Sequence, residues 1–326
     1  MFVSKYSAEL KQYYELRSAV LSDSARKKEL CFLKRFDKYI SENICSSEGV
    51  FSESFMCQWV SSLTGADGSK ENEIIVIRQF LEYLNLSGYK AFIPVIPKVH
   101  DNYSPYIFSD KELELIFKSA DNTTVKNKNT CKYLPIEFPV ILRLLFSCGL
   151  RIGETIMIKL KDVDLENGVL KLINTKGDKH RLVPMSEKMT DILARYCLAM
   201  GFAGGSEAWL FPGNDKESHI SDQSVKNRFK RILKDNGIEL KNRKRHERGP
   251  CLHCLRHVFA FKSFKQTEKL GISLTDSVPF LSIYLGHDSL NETEKYLKFS
   301  SEMYPETTEL FGSFMKDLLP EVNHDA

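Results

Sequence analysis

No run of apolar residues in this 326-residue chain is long enough to cross a membrane; even the stretch from Val140 to Phe146 is broken by Arg143. The start of the chain lacks a basic segment followed by an apolar one, so no secretory leader is expected and the protein is expected to be cytoplasmic. Charge of one sign is hardly in excess. With 46 Lys and Arg against 43 Asp and Glu, the net +3 does not by itself point to a nucleic-acid partner. There is no internal repeat and no low-complexity segment, which sets aside solenoid and disordered classes. The eight cysteines are irregularly spaced. They are expected to be reduced, most of them small apolar core residues. Cys251 and Cys254, with His246, His253 and His257 nearby, lack the second Cys or His pair that would complete four zinc ligands, so no metal is expected there.

What is present is the composition of a soluble globular protein, 42% hydrophobic and 27% charged, with length enough for two cores. Residues 1–95 are expected to form a helical domain. Leu30, Leu33, Phe36 and Ile40 recur at helical spacing, and Ile74, Ile77, Phe80, Leu81 and Leu84 make a second stripe that stops at Ser87 and Gly88. Pro94, Pro97 and Pro105 disfavour helix, so residues 96–106 are expected to be an extended linker. A second domain is expected over 107–326, opened by a capping box at Ser109 and Glu112. Within it, the apolar stretch ending at Cys148 is stopped by Gly149. Val169 to Ile173 and His180 to Pro184 flank a Gly177-Asp178 turn as a β-hairpin. Ser221 caps a helix that turns Val225, Phe229, Ile232 and Leu233 inward and ends at Gly237. The fold class is therefore mainly α with a small β-sheet, in two domains.

Charge is spread unevenly. Between Lys226 and Arg248 stand ten Lys or Arg against three acids, just before His253-Cys254-Leu255-Arg256, where a phosphate backbone is the expected partner. Cys148-Gly149-Leu150-Arg151 is followed by Glu154, Thr175-Lys176-Gly177 marks a turn, and Leu285-Gly286-His287 precedes Tyr296 by nine residues. Two guanidiniums, a lysine, two imidazoles and a phenol are what a metal-free attack on a phosphodiester requires. Arginine forks match non-bridging phosphate oxygens, and phosphoryl transfer is mostly positioning and charge stabilisation. A tyrosine supplies a covalent nucleophile. His253 and Arg256, three apart, are expected on one helix face, with Leu255, Val258 and Phe259 toward the core.

The order and spacing of these boxes resemble the tyrosine recombinase (phage integrase) family over roughly residues 107–300. The resemblance implies an N-terminal helical core-binding domain and an α+β catalytic domain. It matches Arg151 and Arg256 to the catalytic arginines, Lys176 to the lysine of a mobile hairpin, His253 and His287 to the catalytic imidazoles, and Tyr296 to the nucleophile. Glu154 matches the carboxylate beside the first arginine. The implied activity is site-specific recombination through a 3′-phosphotyrosyl intermediate and a Holliday junction, for a mobile element, with no cofactor. The implied partner is double-stranded DNA, bound by a monomer in solution that becomes a homotetramer on synapsed sites. A type IB topoisomerase-like enzyme and a catalytically degenerate DNA-binding regulator are the competing interpretations of the same residues. The segment between Arg256 and His287 is longer than in many members, a feature that leans toward the transposon-borne branch. Leu310, Phe311, Phe314, Met315, Leu318 and Leu319 form a greasy stripe among acids, which is buried either on its own domain or on a neighbouring protomer.

Overall fold

The computed structural model describes residues 2–43, 51–97, 105–124, 132–175, 179–202, 204–239, 249–290 and 292–293. Lys176 with the Gly177-Asp178 turn, most of the expected linker, the basic run beyond Glu239, Tyr296 and the stripe at 310–319 lie outside the described residues. The chain divides into two compact units, Met1–Asn102 and Tyr103–Ala326. None of the described helices is long and apolar enough to cross a membrane.

The first unit packs four helices, α1 (Ser7–Ser18), α2 (Asp23–Asn43), α3 (Glu53–Ser62) and α4 (Asp67–Leu86). All five expected stripe residues of α4 are buried, as are Leu33, Phe36 and Ile40 of α2; Leu30 is only half-buried. The Ser52 hydroxyl accepts the Phe55 N–H and starts α3, a cap worth about 1 kcal/mol. Three carboxylates enter this core. Asp37 accepts the N–H groups of Val3 and Ser4 at 2.5 and 3.0 Å, and Glu29 takes the Arg17 fork at 3.0 and 3.3 Å. Glu73 pairs with Arg35.

The second unit holds α5 (Asp110–Asp121), α6 (Leu134–Ser147), α7 (Ile152–Ile156), β1 (Val163–Asp164), β2 (Val169–Thr175), β3 (Lys179–Pro184), α8 (Glu187–Met200), α9 (Asp222–Asp235), α10 (His253–Lys269) and α11 (Leu274–Leu285). Helix α6 is apolar nearly all round and packs against α5, α8 and α10, as a central helix must. It ends at Cys148, where Gly149 turns left-handed with φ 60°. A side chain at Gly149 would also run into the Phe259 ring, so two separate constraints call for glycine there. The Ser109–Glu112 capping box forms, and Ser221 caps α9 with Val225, Phe229, Ile232 and Leu233 buried.

The sheet is antiparallel in the order β1-β2-β3, and Leu170 lies opposite Val183 and Leu172 opposite Arg181. Leu170, Leu172 and Val183 are buried, whereas Leu182 is exposed. Strand alternation therefore turns Arg181 inward with Val183. The two-residue β1 is too short for any period-2 signal. The long interval between Arg256 and His287 is taken up by the rest of α10, a turn at Gly271 with φ 75°, and α11. One expectation fails. Cys31, Cys57 and Cys251 are exposed, while Cys148 and Cys254 are buried. A small, weakly polar thiol loses little on a helix surface, so composition alone does not place it.

Candidate active site

Arg151 sits at the elbow between Gly149 and α7. Its backbone N–H donates to Glu154 Oε2 at 2.9 Å, closing the first turn of α7, and its Nη1 donates to Glu154 Oε1 at 2.9 Å. Nη1 and Nη2 also lie 3.3 and 3.4 Å from the Gly286 carbonyl, 135 residues away. Arg256, in the first turn of α10, is 1% exposed. Its Nη1 donates to Gly149 O at 2.7 Å and its Nη2 to Leu285 O at 2.8 Å. One buried guanidinium thus ties the corner before Arg151 to the corner before His287.

His287 follows Gly286, whose φ of 65° ends α11. Its Nδ1 lies 2.6 Å from the hydroxyl of Thr293, a fully buried residue three positions before Tyr296. Burial, then the charges of Arg256 and Arg151, hold the His287 imidazole down at about 3. It is neutral at physiological pH. With the Thr293 hydroxyl donating to Nδ1, the ring proton resides on Nε2 and makes it a neutral donor; the opposite tautomer makes Nε2 an acceptor. His253 is exposed at the first position of α10 and meets His257 edge-on, ring centroids 4.5 Å apart. His257 is buried, and burial together with the charges of His253 and Arg256 pushes it down to about 3.

His253 and Arg256 share a helix turn but not an environment, since one is exposed and the other buried. Leu255 and Val258 point into the core as expected, and Phe259 is partly buried, stacked on Tyr284. Tyr284, another phenol close in sequence, lies 3.4 Å from the Pro184 carbonyl, and burial raises its pKa, which makes it a poor nucleophile. Lys176 and Tyr296 lie outside the described residues.

Three further residues stand within or beside the same boxes without a role implied by the resemblance: Arg181 follows the Lys176 turn, His257 follows Arg256, and Thr293 precedes Tyr296 by three. Arg181 is also in phase with the inward Val183. Its Nη1 and Nη2 meet Glu154 Oε1 and Oε2 at 3.2 and 2.8 Å. Burial alone would raise the Glu154 carboxyl, but the Arg181 hydrogen bonds, the Arg151 N–H and the two guanidinium charges outweigh it and hold it below the ordinary glutamate range. Two guanidiniums therefore share one ionised carboxylate, and Arg256 holds the backbone on either side of them. The surplus is positive, in a partly dehydrated corner, which is the electrostatics of an anion site. Among the described residues, no group of three or more His, Cys, Asp or Glu is placed to hold a metal ion.

The phage integrase family model matches residues 108–303. The chain belongs to the phage integrase family. It is 28% identical over 255 residues to tyrosine recombinase XerA of Saccharolobus solfataricus, covering 73% of this chain and 71% of that one. The fold is similar to that of XerH site-specific recombinase in a post-cleavage complex with palindromic difH substrate, with TM-score 0.65, 20% identity, and 88% of this chain and 80% of that one covered. It is also similar to lambda integrase as a tetramer bound to a Holliday junction, with TM-score 0.65, 15% identity, and 89% and 76% covered. The chain is mainly helical with a small sheet, the fold of tyrosine recombinases, and its activity is that of a site-specific DNA recombinase.

Proposed function

We propose that this recombinase cuts and rejoins double-stranded DNA through Tyr296, on behalf of a mobile element. The carrying observation is that Arg256 and Arg151 bind main-chain carbonyls across long stretches of sequence, at Gly149, Leu285 and Gly286, so that three separate boxes form one positively charged corner. The Tyr296 oxygen attacks the scissile phosphorus, the bond to the 5′ oxygen breaks, and a 3′-phosphotyrosyl link remains. Arg151, Arg256 and His287 stabilise charge on the phosphoryl oxygens, with Arg256 acting also by holding the other two corners together. His253, exposed at the rim, takes the tyrosine proton or donates to the phosphate. Lys176 protonates the departing 5′ oxygen. A 5′ hydroxyl from the second DNA then reverses the step, which passes through a Holliday junction and needs no cofactor.

Residues 1–95 serve as the core-binding domain, 96–106 as a linker and 107–326 as the catalytic domain. The protein is a cytoplasmic monomer that becomes a homotetramer on two synapsed sites. Phe280 and Ile283, both exposed on α11, support a protein contact on the catalytic unit. A duplex nicked close to the cleavage position tests the chemistry, because loss of the short 5′ fragment prevents religation. The natural chain is expected to accumulate a covalent protein–DNA adduct and Tyr296→Phe to bind the site without forming one. An adduct with Tyr296→Phe would assign the nucleophile elsewhere.

A further inference from the structure

Arg181 carries none of the roles above, yet its surroundings are more constrained than those of Arg151. Register places it on the inward face of β3, opposite Leu172, and its side chain is 11% exposed. Both terminal nitrogens are committed to the Glu154 carboxylate, itself 6% exposed, in a two-pronged pair. The same guanidinium lies against the Gly286 backbone. A Cβ on Gly286 would stand 2.7 Å from Arg181 Nη1 and 3.3 Å from its Cδ. Gly286 is also the residue whose carbonyl accepts from Arg151, and it immediately precedes His287.

These contacts separate two possible roles. As a direct phosphate ligand Arg181 would need an open edge, but its two-pronged face is turned to Glu154 and its side chain is only 11% exposed. As a support it acts by charge and by shape. With Arg181 present, Glu154 is neutralised twice over and Arg151 keeps a surplus positive charge. Without it, the buried carboxylate has Arg151 as its remaining guanidinium, and the pair cancels. The Gly286 corner would at the same time lose the surface it rests on.

We propose that Arg181 is a positioning residue of the strand-cleavage site, holding Arg151 through the shared Glu154 carboxylate and seating the Gly286 corner that carries His287. The inference rests on Arg151 acting on the scissile phosphate. It also makes β3, whose sequence leads on directly from Lys176, part of the arginine site itself.

The test compares full-length Arg181→Gln and Arg181→Lys on three nicked substrates: the natural phosphate, a neutral methylphosphonate at the scissile position, and a phosphate with a 5′-thiolate leaving group. A methylphosphonate lacks the negative oxygen that a guanidinium stabilises, so a defect transmitted through Arg151 must shrink on it. Arg181→Gln is expected to slow adduct formation roughly 10- to 100-fold on the phosphate and under about 3-fold on the methylphosphonate, the range for displacing a supporting group by a fraction of an ångström. Arg181→Lys should fall between, keeping the charge without the fork. Equal losses on phosphate and methylphosphonate would overturn the proposal, as would recovery on the thiolate, which would mean that Arg181 works through Lys176. If Arg181→Gln unfolds, Arg181→Lys, which keeps the buried charge without the fork, is judged by the same ratio. Arg151→Ala provides the separate check: equal loss on both substrates there would remove Arg151 from the phosphate, whatever Arg181 does.

Discussion

The two units bury charge in opposite senses. In the helical unit the carboxylates go inside and their arginines stay out: Glu73 is 5% exposed while its partner Arg35 is 53% exposed. In the catalytic unit the arginines themselves go inside, Arg256 most completely, and they hold carbonyls or share one carboxylate. The same chemistry therefore has two results. Burial raises the Glu73 carboxyl by more than the half-solvated Arg35 lowers it, so its ionised form is strained. Burial raises Glu154 too, but Arg181 and Arg151 reverse the shift. A lone exposed guanidinium ties helices together. The buried Arg256 with the partly buried Arg181 and Arg151 leaves a site with positive charge to spare.

The largest way to break this contrast is Arg256→Ala. It strands the Gly149 and Leu285 carbonyls in the core, and two charge-assisted bonds at about 1.5–3 kcal/mol each predict a loss of about 3–6 kcal/mol in denaturant unfolding. Adduct formation is expected to fall by roughly two to three orders of magnitude beyond any effect of lost folding, as for removal of one transition-state donor. A stable Arg256→Ala protein with intact cleavage would contradict the role given to that guanidinium.

Next in size is the pair Glu154→Gln and Glu73→Gln, expected to differ in sign. The folded pKa of Glu154 is depressed, so its ionisation contributes stability above the unfolded value of 4.5 that is lost as pH falls through the folded value. Glu154→Gln should therefore destabilise at pH 7, with the deficit closing in acid. The folded pKa of Glu73 is raised, so its ionisation costs stability as pH rises through 4.5 and above. Glu73→Gln should leave stability at pH 7 unchanged or slightly higher. Unfolding curves of both variants at pH 7 and pH 4 decide the matter, and matching signs would erase the distinction between the units.

The smallest effect concerns His257. Its folded value of about 3 lies below the ordinary 6.5, so the unfolded chain binds a proton that the folded one refuses, and stability falls as pH drops from 6.5 toward 3. His257→Phe keeps the ring in place and removes that titration. Its stability relative to the natural chain is expected to improve progressively below pH 6.5. A gap that does not change with pH would show that His257 takes up its proton equally in the folded and unfolded chains.

Local signals were the legible ones. The capping boxes, the α4 stripe, the Gly149 stop and the hairpin each depend on residues within a turn or two of one another, and each appears where spacing placed it. Helices α8 and α11 were passed over as separate elements although Ser186 and Ser273 cap them, because a single serine competes with many equivalent ones along the chain. The motif order singled out Arg151, His253, Arg256 and His287 as candidates for phosphate chemistry. It was not enough to say which of them is exposed.

That distinction belongs to tertiary structure. The sequence by itself determined the residue types, their order and the short-range geometry that starts and stops each element, because hydrogen-bonded turns and strand alternation are set by neighbours. Only the folded chain decided that Arg256 is a buried tie, that His253 stands at the rim while His287 and His257 are held neutral, and that Arg181 shares the Glu154 carboxylate with Arg151. The reason is physical. Burial and charge coupling depend on groups brought within a few ångströms across stretches as long as the 135 residues between Arg151 and Gly286, and no local pattern records that distance.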